Sequence, residues 1–329
     1  MPRWSRRTWI VTPSGPDTRM PEQPKTILVT GASGFVGLHL TSALRSQFPY
    51  AEIATPRVEL RDTDAISAMV QEAKPDICIH LAGVSTVQAA RDREADAWAI
   101  NLRGTLSLGN AIRDHVPHCL LLFASSAEAY GNSFRPGHAL TECAALAPLN
   151  VYGATKAAAD LALGVMADQG LRVVRVRPFN HTGPGQSTAF VVPAFARHVA
   201  SIASGLQPPV VTVGNRDAQR DFLDVRDVCA GYIACIQHRD TLESGTIFNL
   251  SSGQPRRIGD ILDELLSLAD LKVEVRVDPS LLRPSDLSIT CGDAAKARAM
   301  LGWQPEIPWQ TTLADVLADW SERVRDTKS

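Results

Sequence analysis

Lys25-Thr26-Ile27-Leu28-Val29-Thr30-Gly31-Ala32-Ser33-Gly34-Phe35-Val36-Gly37 is the stretch on which the fold turns. Its first six residues make a short β-branched strand. They run straight into a glycine-rich turn, and apolar residues then recur at Val36, Leu40 and Leu44 with helical spacing. Strand, glycine turn and helix in that order predict a dinucleotide-binding unit. The glycines permit a tight turn and close backbone approach, and the helix N-terminus presents unpaired N–H groups to a pyrophosphate. Without that flanking context the glycine spacing would mean only a turn.

Working outward, the next strand, about residues 52–55, should end where an acid would hold the adenosine ribose. Here the chain reads Ala54-Thr55-Pro56-Arg57. Arg57 suits a 2′-phosphate, which favours NADP(H) while leaving NAD(H) open. Asp62 is an expected helix N-cap. Residues 75–83 form a buried-type strand closed by small residues, with His80 read as a satisfied core histidine. A long helix over 93–113 contains Asn101. Cys119-Leu120-Leu121-Leu122-Phe123-Ala124 is a fully apolar strand that delivers Ser125-Ser126-Ala127-Glu128-Ala129-Tyr130-Gly131 at its C-terminal end. Ligands bind at that edge of open parallel sheets.

A further strand, 172–177, leads into a turn over 178–186, after which the regular alternation breaks. The pattern predicts an α/β fold: a doubly wound parallel sheet of Rossmann type with a smaller α/β substrate-binding domain. The expected division is 1–24 as a disordered extension, 25–178 plus about 221–250 as the dinucleotide-binding domain, and 179–220 plus 251–329 as the substrate domain. The extension is rich in Arg and Pro and lacks the apolar stretch of a secretory signal.

Asn150-Val151-Tyr152-Gly153-Ala154-Thr155-Lys156 opens another predicted helix. Residues four apart share a helix face, so Tyr152 and Lys156 point to one place. A phenol titrates near 10, and an ammonium beside it would bring it toward neutral pH. The spacing alone is also that of an ordinary surface pair. The helices at 93–113 and 151–168 carry apolar residues on more than one face: Ala97, Ile100, Leu102, Leu106, Leu108, Ala158, Leu161 and Val165. One face must cover the sheet, and the surplus predicts a homodimer sealed by a four-helix bundle.

Net charge is −2 with both signs scattered, which gives no electrostatic case for nucleic acid or an anionic membrane. The six cysteines show no C-x-x-C spacing, so neither zinc nor any other metal is expected, and reduced thiols in the cytoplasm are. Arg220 and Arg283, expected in loops of the smaller domain, suit a phosphorylated ligand, because guanidinium binds phosphate bidentately.

Taken in order, Thr30-Gly31-x-x-Gly34-Phe35-x-Gly37, His80-Leu81-Ala82-Gly83, Ser125-Ser126-x-x-x-Tyr130-Gly131, Tyr152-x-x-x-Lys156 and Arg220-Asp221-Phe222 resemble the extended short-chain dehydrogenase/reductases that act on nucleotide-diphosphate sugars. The run Arg177–Gln186 is most similar to the GDP-4-keto-6-deoxymannose reductases among them. The resemblance implies that Tyr152 is the general acid, that Lys156 lowers its pKa and holds the nicotinamide ribose, and that Ser126 hydrogen-bonds the sugar oxygen. It places the cofactor on Gly31, Ser33, Gly34, Phe35, Val36, Gly37, Arg57, Leu60, Leu81, Ala82, Gly83 and Pro178. It places a nucleotide sugar, with GDP favoured, on Ser126, Asn180, Val191, Arg220 and Arg283. Dehydratases of the family carry an acidic or hydroxyl residue and then Glu after the catalytic hydroxyl. Here those positions are Ala127 and Glu128, which favours ketone reduction and leaves Glu128 to position substrate. A dehydratase or epimerase that recycles its hydride, and a non-catalytic nucleotide-binding protein, remain the alternatives.

Overall fold

The computed structural model describes residues 23–278 and 287–326. Arg283 and nearly all of the expected extension lie outside the described residues. Strands β1 (Thr26–Thr30), β2 (Glu52–Ala54), β3 (Ile77–His80), β4 (Leu120–Ala124) and β5 (Val173–Pro178) precede the short β6 (Asn180–Thr182). Next come β7 (Val210–Val213), β8 (Gln219–Asp224), β9 (Ile247–Leu250), β10 (Pro255–Arg257), β11 (Glu274–Val277) and β12 (Ile289–Thr290). The main sheet has the order β2-β1-β3-β4-β5-β9 and is parallel throughout. The strand order reverses between β1 and β3, which is where doubly wound sheets open a ligand crevice.

Alternation along the strands builds the two cores. Ile27, Val29, Ile77, Ile79, Leu120, Leu122, Val174 and Val176 face α1 (Phe35–Gln47) and residues of 225–237. Leu28, Cys78, Leu121, Phe123 and Val173 face the other way, onto α2 (Thr63–Ala73) and the helices near 105–115 and 151–168. Ile27, Leu28 and Val29 have no exposed surface. Each large apolar side chain buried in this way contributes about 1.5–3 kcal/mol.

The expected helix over 93–113 is interrupted. After α3 (Val87–Asp92) the chain forms α4 (Glu94–Trp98), a π-helical segment Ala99–Gly104, and α5 (Thr105–His115). The π turn carries Asn101 inward at 1% exposure, and such turns recur at functional sites. Asp62 caps α2 as expected, its Oδ1 accepting from the Ala65 N–H at 3.0 Å. The 18-residue α6 (Val151–Asp168) starts at Asn150, whose side chain accepts from the Gly153 N–H at 2.8 Å.

The smaller unit is built on β8, with β10 antiparallel on one side and β12 parallel on the other, and β6 pairs parallel with the last three residues of β8. Arg220 therefore lies in a strand and not in a loop. Helices α7 (Val191–Ala203), α8 (Val225–Gln237), α9 (Ile258–Leu268), α10 (Ala295–Leu301) and α11 (Trp309–Asp326) complete the chain, and α7, α9 and α11 share a separate core with Phe222. Leu223, on the opposite face of β8, packs into the core under the main sheet. The expected boundary at 220/221 thus falls inside one strand whose two faces serve two cores.

Candidate active site

Gly31 sits at φ +73°, and a Cβ there would lie 2.6 Å from the Ala82 backbone nitrogen. A Cβ on Gly37 would collide with the Gly31 carbonyl oxygen. These glycines let the turn after β1 nestle against the segment after β3, leaving backbone exposed to a ligand at the start of α1. An open cleft of about 410 Å³ runs from this turn, lined by Gly31, Ser33, Thr41, Arg45, Arg57 and Ala82 among others. Gly34 is the N-cap of α1, Phe35 and Val36 begin it, and the Phe35 ring stacks on His181 at 6.2 Å. Leu81 and Gly83 flank Ala82, and Pro178 ends β5. The Leu60 side chain does not join the cleft. It is 6% exposed and packs in the core, where its carbonyl closes on Gly104 of the π turn.

Arg45 escapes any reading by motif, since nothing in its local sequence separates it from a solvated helix end. It shares the cleft with Arg57, and both are exposed. The cradle around Gly31 fits a pyrophosphate, and two guanidinium groups at the far end fit an added phosphate. Ser125 Oγ, just past the end of β4, is buried with no protein partner.

β4 and α6 bring Ser126, Tyr152 and Lys156 together. Ser126 is 9% exposed, and its hydroxyl accepts from the Glu128 N–H at 3.1 Å. Burial pushes the Tyr152 phenol up to about 12; its hydrogen bond with Ser126 works against this, and the Glu128 charge adds to it. Burial likewise pulls the Lys156 ammonium down to about 8, against the opposing pull of Asp160. Lys156 Nζ donates to the Ala124 carbonyl at 2.8 Å and lies 5.2 Å over the Phe123 ring. The lowering expected for Tyr152 is not produced by the protein groups around it, whose net effect is upward. Burial is the largest influence on the phenol here, and it favours the protonated form.

Asn101, placed on a helix by the sequence but given no role there, is a functional residue of the site. Its Oδ1 accepts from the Val84 N–H at 2.8 Å, and its Nδ2 donates to Val84 O at 3.1 Å and to Thr155 Oγ1 at 3.0 Å. It ties the Gly83 segment to the helix turn that carries Lys156. A polar residue between Ile100 and Leu102 was the only available signal. His80 takes the core role read from the sequence. Its ring bonds Thr30 and Thr105 hydroxyls at 2.6 and 3.0 Å, and burial first, the Lys156 charge second, pull it down to about 3.

Glu128 is exposed beside this cluster and accepts from Asn150 Nδ2 at 2.8 Å, while Ala127 is buried. Asn180 is exposed in β6, Val191 opens α7, and Arg220 donates to the Gln219 and Leu287 carbonyls at 2.8 Å each. Among the described residues no His, Cys, Asp or Glu cluster could hold a metal ion, and no helix is long and apolar enough to cross a membrane.

A family model described as GDP-mannose 4,6 dehydratase matches residues 47–316. The chain belongs to this family. Among its relatives is the GDP-6-deoxy-D-mannose reductase of Pseudomonas aeruginosa, 36% identical over 91% of this chain and 98% of that one. The GDP-6-deoxy-D-talose 4-dehydrogenase of Aggregatibacter actinomycetemcomitans is 28% identical over 84% of this chain and 91% of its own. The solved structure of RMD from Pseudomonas aeruginosa complexed with NADPH superposes with a TM-score of 0.82 at 34% identity, covering 91% of this chain and 99% of that one. The family also takes in extended short-chain dehydrogenase/reductases such as the Thermus thermophilus UDP-glucose 4-epimerase complexed with NAD, at TM-score 0.79 and 27% identity over 90% and 98% of the two chains.

Proposed function

We propose that this chain reduces the C4 ketone of a GDP-4-keto-6-deoxyhexose with NADPH, giving GDP-rhamnose or its C4 epimer, with NADH as the weaker cofactor. The observation that carries the reading is the placement of Ser126, at the end of β4 beside the buried Ala127, against Tyr152 and Lys156 on one face of α6. The nicotinamide supplies hydride. Tyr152 donates its proton to the carbonyl oxygen, Ser126 holds that oxygen by a hydrogen bond, and Lys156 holds the ribose and offsets the negative charge left on the phenolate. Asn101 keeps the Gly83 segment and α6 in register. Asn180, Val191 and Arg220 hold the nucleotide sugar, and Arg283 is assigned to the same task from its sequence context. Glu128, anchored by Asn150, positions the sugar. Purified protein with GDP-4-keto-6-deoxymannose should oxidise NADPH stoichiometrically. Formation of a 4-keto sugar from GDP-mannose with no net cofactor consumption would establish a dehydratase instead.

Cofactor choice follows from the cleft. Arg57→Ala should weaken NADPH binding by about 1.5 kcal/mol or more, the scale of one charge-assisted hydrogen bond, and leave NADH almost unchanged. Titration calorimetry with both cofactors decides, and equal losses would remove Arg57 from the 2′-phosphate.

The assembly and location read from the sequence belong to the same proposal. Leu161 and Val165 on α6 are each 58% exposed, an apolar strip suited to a second copy of this chain. Ala97 and Leu108, fully buried, leave the expected seam. Light scattering should return a dimer at micromolar concentration, and a monomer would refute it. Residues 25–178 with about 221–250 are assigned to the cofactor and 179–220 with 251–329 to the sugar, β8 being shared by the two cores, and limited proteolysis checks the division. All six thiols are unpaired, in keeping with the cytoplasm, and cell fractionation tests that.

A further inference from the structure

β8 is the central strand of the smaller sheet, and its Arg220 pairs with Arg256 of β10 on one side and Thr290 of β12 on the other. Directly paired residues project from the same face of a sheet. Arg256, Arg220 and Thr290 therefore form one row, on the face that also carries Phe222 and, through β6, Asn180. Arg220 is tied to the Leu287 carbonyl. The Arg256 guanidinium lies 4.9 Å over the Trp309 ring, but its Nε is buried with no partner. Thr290, 8% exposed, has a buried hydroxyl with no partner as well.

Buried polar groups without partners cost stability, so two of them flanking one arginine mark a place built for a ligand. Guanidinium groups only donate, so the ligand must be an acceptor with several oxygens. Neighbouring strands lie about 4.8 Å apart, a span that two linked phosphates cover and a single carboxylate does not. Asp221 projects from the other face of β8, where the Ser252, Gly253 and Gly292 N–H groups bind it, and its charge reaches Arg256 only through space, after that of Glu264. The facing acid is Glu264 of α9, and burial still holds the Arg256 guanidinium below its usual range.

We infer that Arg256 and Thr290 are substrate-positioning residues: with Arg220 they seat the diphosphate of the nucleotide sugar, Arg220 on one phosphate and Arg256 on the other. This rests on the nucleotide-sugar reading above and adds a residue whose local sequence, Pro255-Arg256-Arg257, reads as an exposed turn.

The test compares wild type with Arg256→Met, which keeps an apolar stem on Trp309, and with Arg256→Lys, which keeps the charge. Calorimetry with GDP, GMP and inorganic pyrophosphate should show GDP and pyrophosphate weakened about tenfold or more in Arg256→Met. GMP should lose less, Arg256→Lys should recover part of the affinity, and NADPH binding should stay unchanged. The ligand-free melting temperature of Arg256→Met should not fall, since a desolvated charge has been removed. Unchanged GDP affinity, or a lower melting temperature with GDP and NADPH lost alike, would overturn the assignment and leave Arg256 a structural partner of Trp309. Wild type that binds pyrophosphate but not GDP keeps the row and refutes the guanine nucleotide, whereas wild type that binds neither refutes both.

Discussion

Tyr152→Phe should lower the rate of ketone reduction by about 10²–10⁴-fold, the typical worth of a positioned acid, while NADPH still binds. Burial pushes the phenol up to about 12, so it holds its proton until the developing oxyanion on the substrate takes it. Phe keeps the ring that packs against Val84, Ala90 and Ala97 and removes only the hydroxyl. The loss should therefore appear in kcat with little change in melting temperature. A parallel Ser126→Ala variant should be impaired through the same oxygen, and the double variant should lose less than the product of the two, because both groups act on one atom. A Tyr152→Phe enzyme with wild-type kcat would place the acid elsewhere, and Glu128 would be the next group to examine.

Asp160→Asn should cost about 3–5 kcal/mol, the usual penalty for breaking a buried ion pair by removing one partner. Asp160 has no exposed surface and stands one helix turn beyond Lys156 on α6. Its Oδ2 accepts from Arg177 Nε at 2.9 Å, and its Oδ1 from Arg177 Nη2 at 2.8 Å and Arg175 Nη1 at 3.2 Å. Arg177 in turn donates to the Tyr130 hydroxyl at 3.0 Å, and that hydroxyl donates to Asn249 Oδ1 at 2.8 Å. Losing the carboxylate charge leaves two largely buried guanidinium groups under α6 without the anion to which both donate. For a chain of this size the melting temperature should fall on the order of 10 °C. The variant should also pull the Lys156 pKa lower still, since Asp160 is the charge that opposes its burial. An unchanged melting temperature would mean that β5 is fastened to α6 by packing alone. Replacing Asp160, Arg175 and Arg177 together by apolar residues should restore much of the loss, because a buried pair is worth little against well-packed hydrophobes.

What the chain order declares by itself is the alternation of strand and helix and the chemistry at each strand end. The apolar runs at 26–30, 77–80 and 120–124, the glycines of 31–37 and the i,i+4 spacing of Tyr152 and Lys156 are all local, and local periodicity is what strands and helices obey. The π turn at Asn101 lay beyond that reach, because a single extra residue in a helix leaves almost no trace in hydrophobic spacing and is held by contacts from Val84 and Thr155. The Tyr152 pKa was misread for a related reason. Spacing places an ammonium near a phenol, but only the packed surroundings fix how much water each has lost, and here desolvation is the larger force. Arg45 beside Arg57, Asp160 beneath Arg175 and Arg177, and Arg256 in line with Arg220 each join residues far apart in the chain. Strand register and helix packing bring them together, and no local pattern encodes either, because both are set by which apolar faces the folded chain can bury against one another.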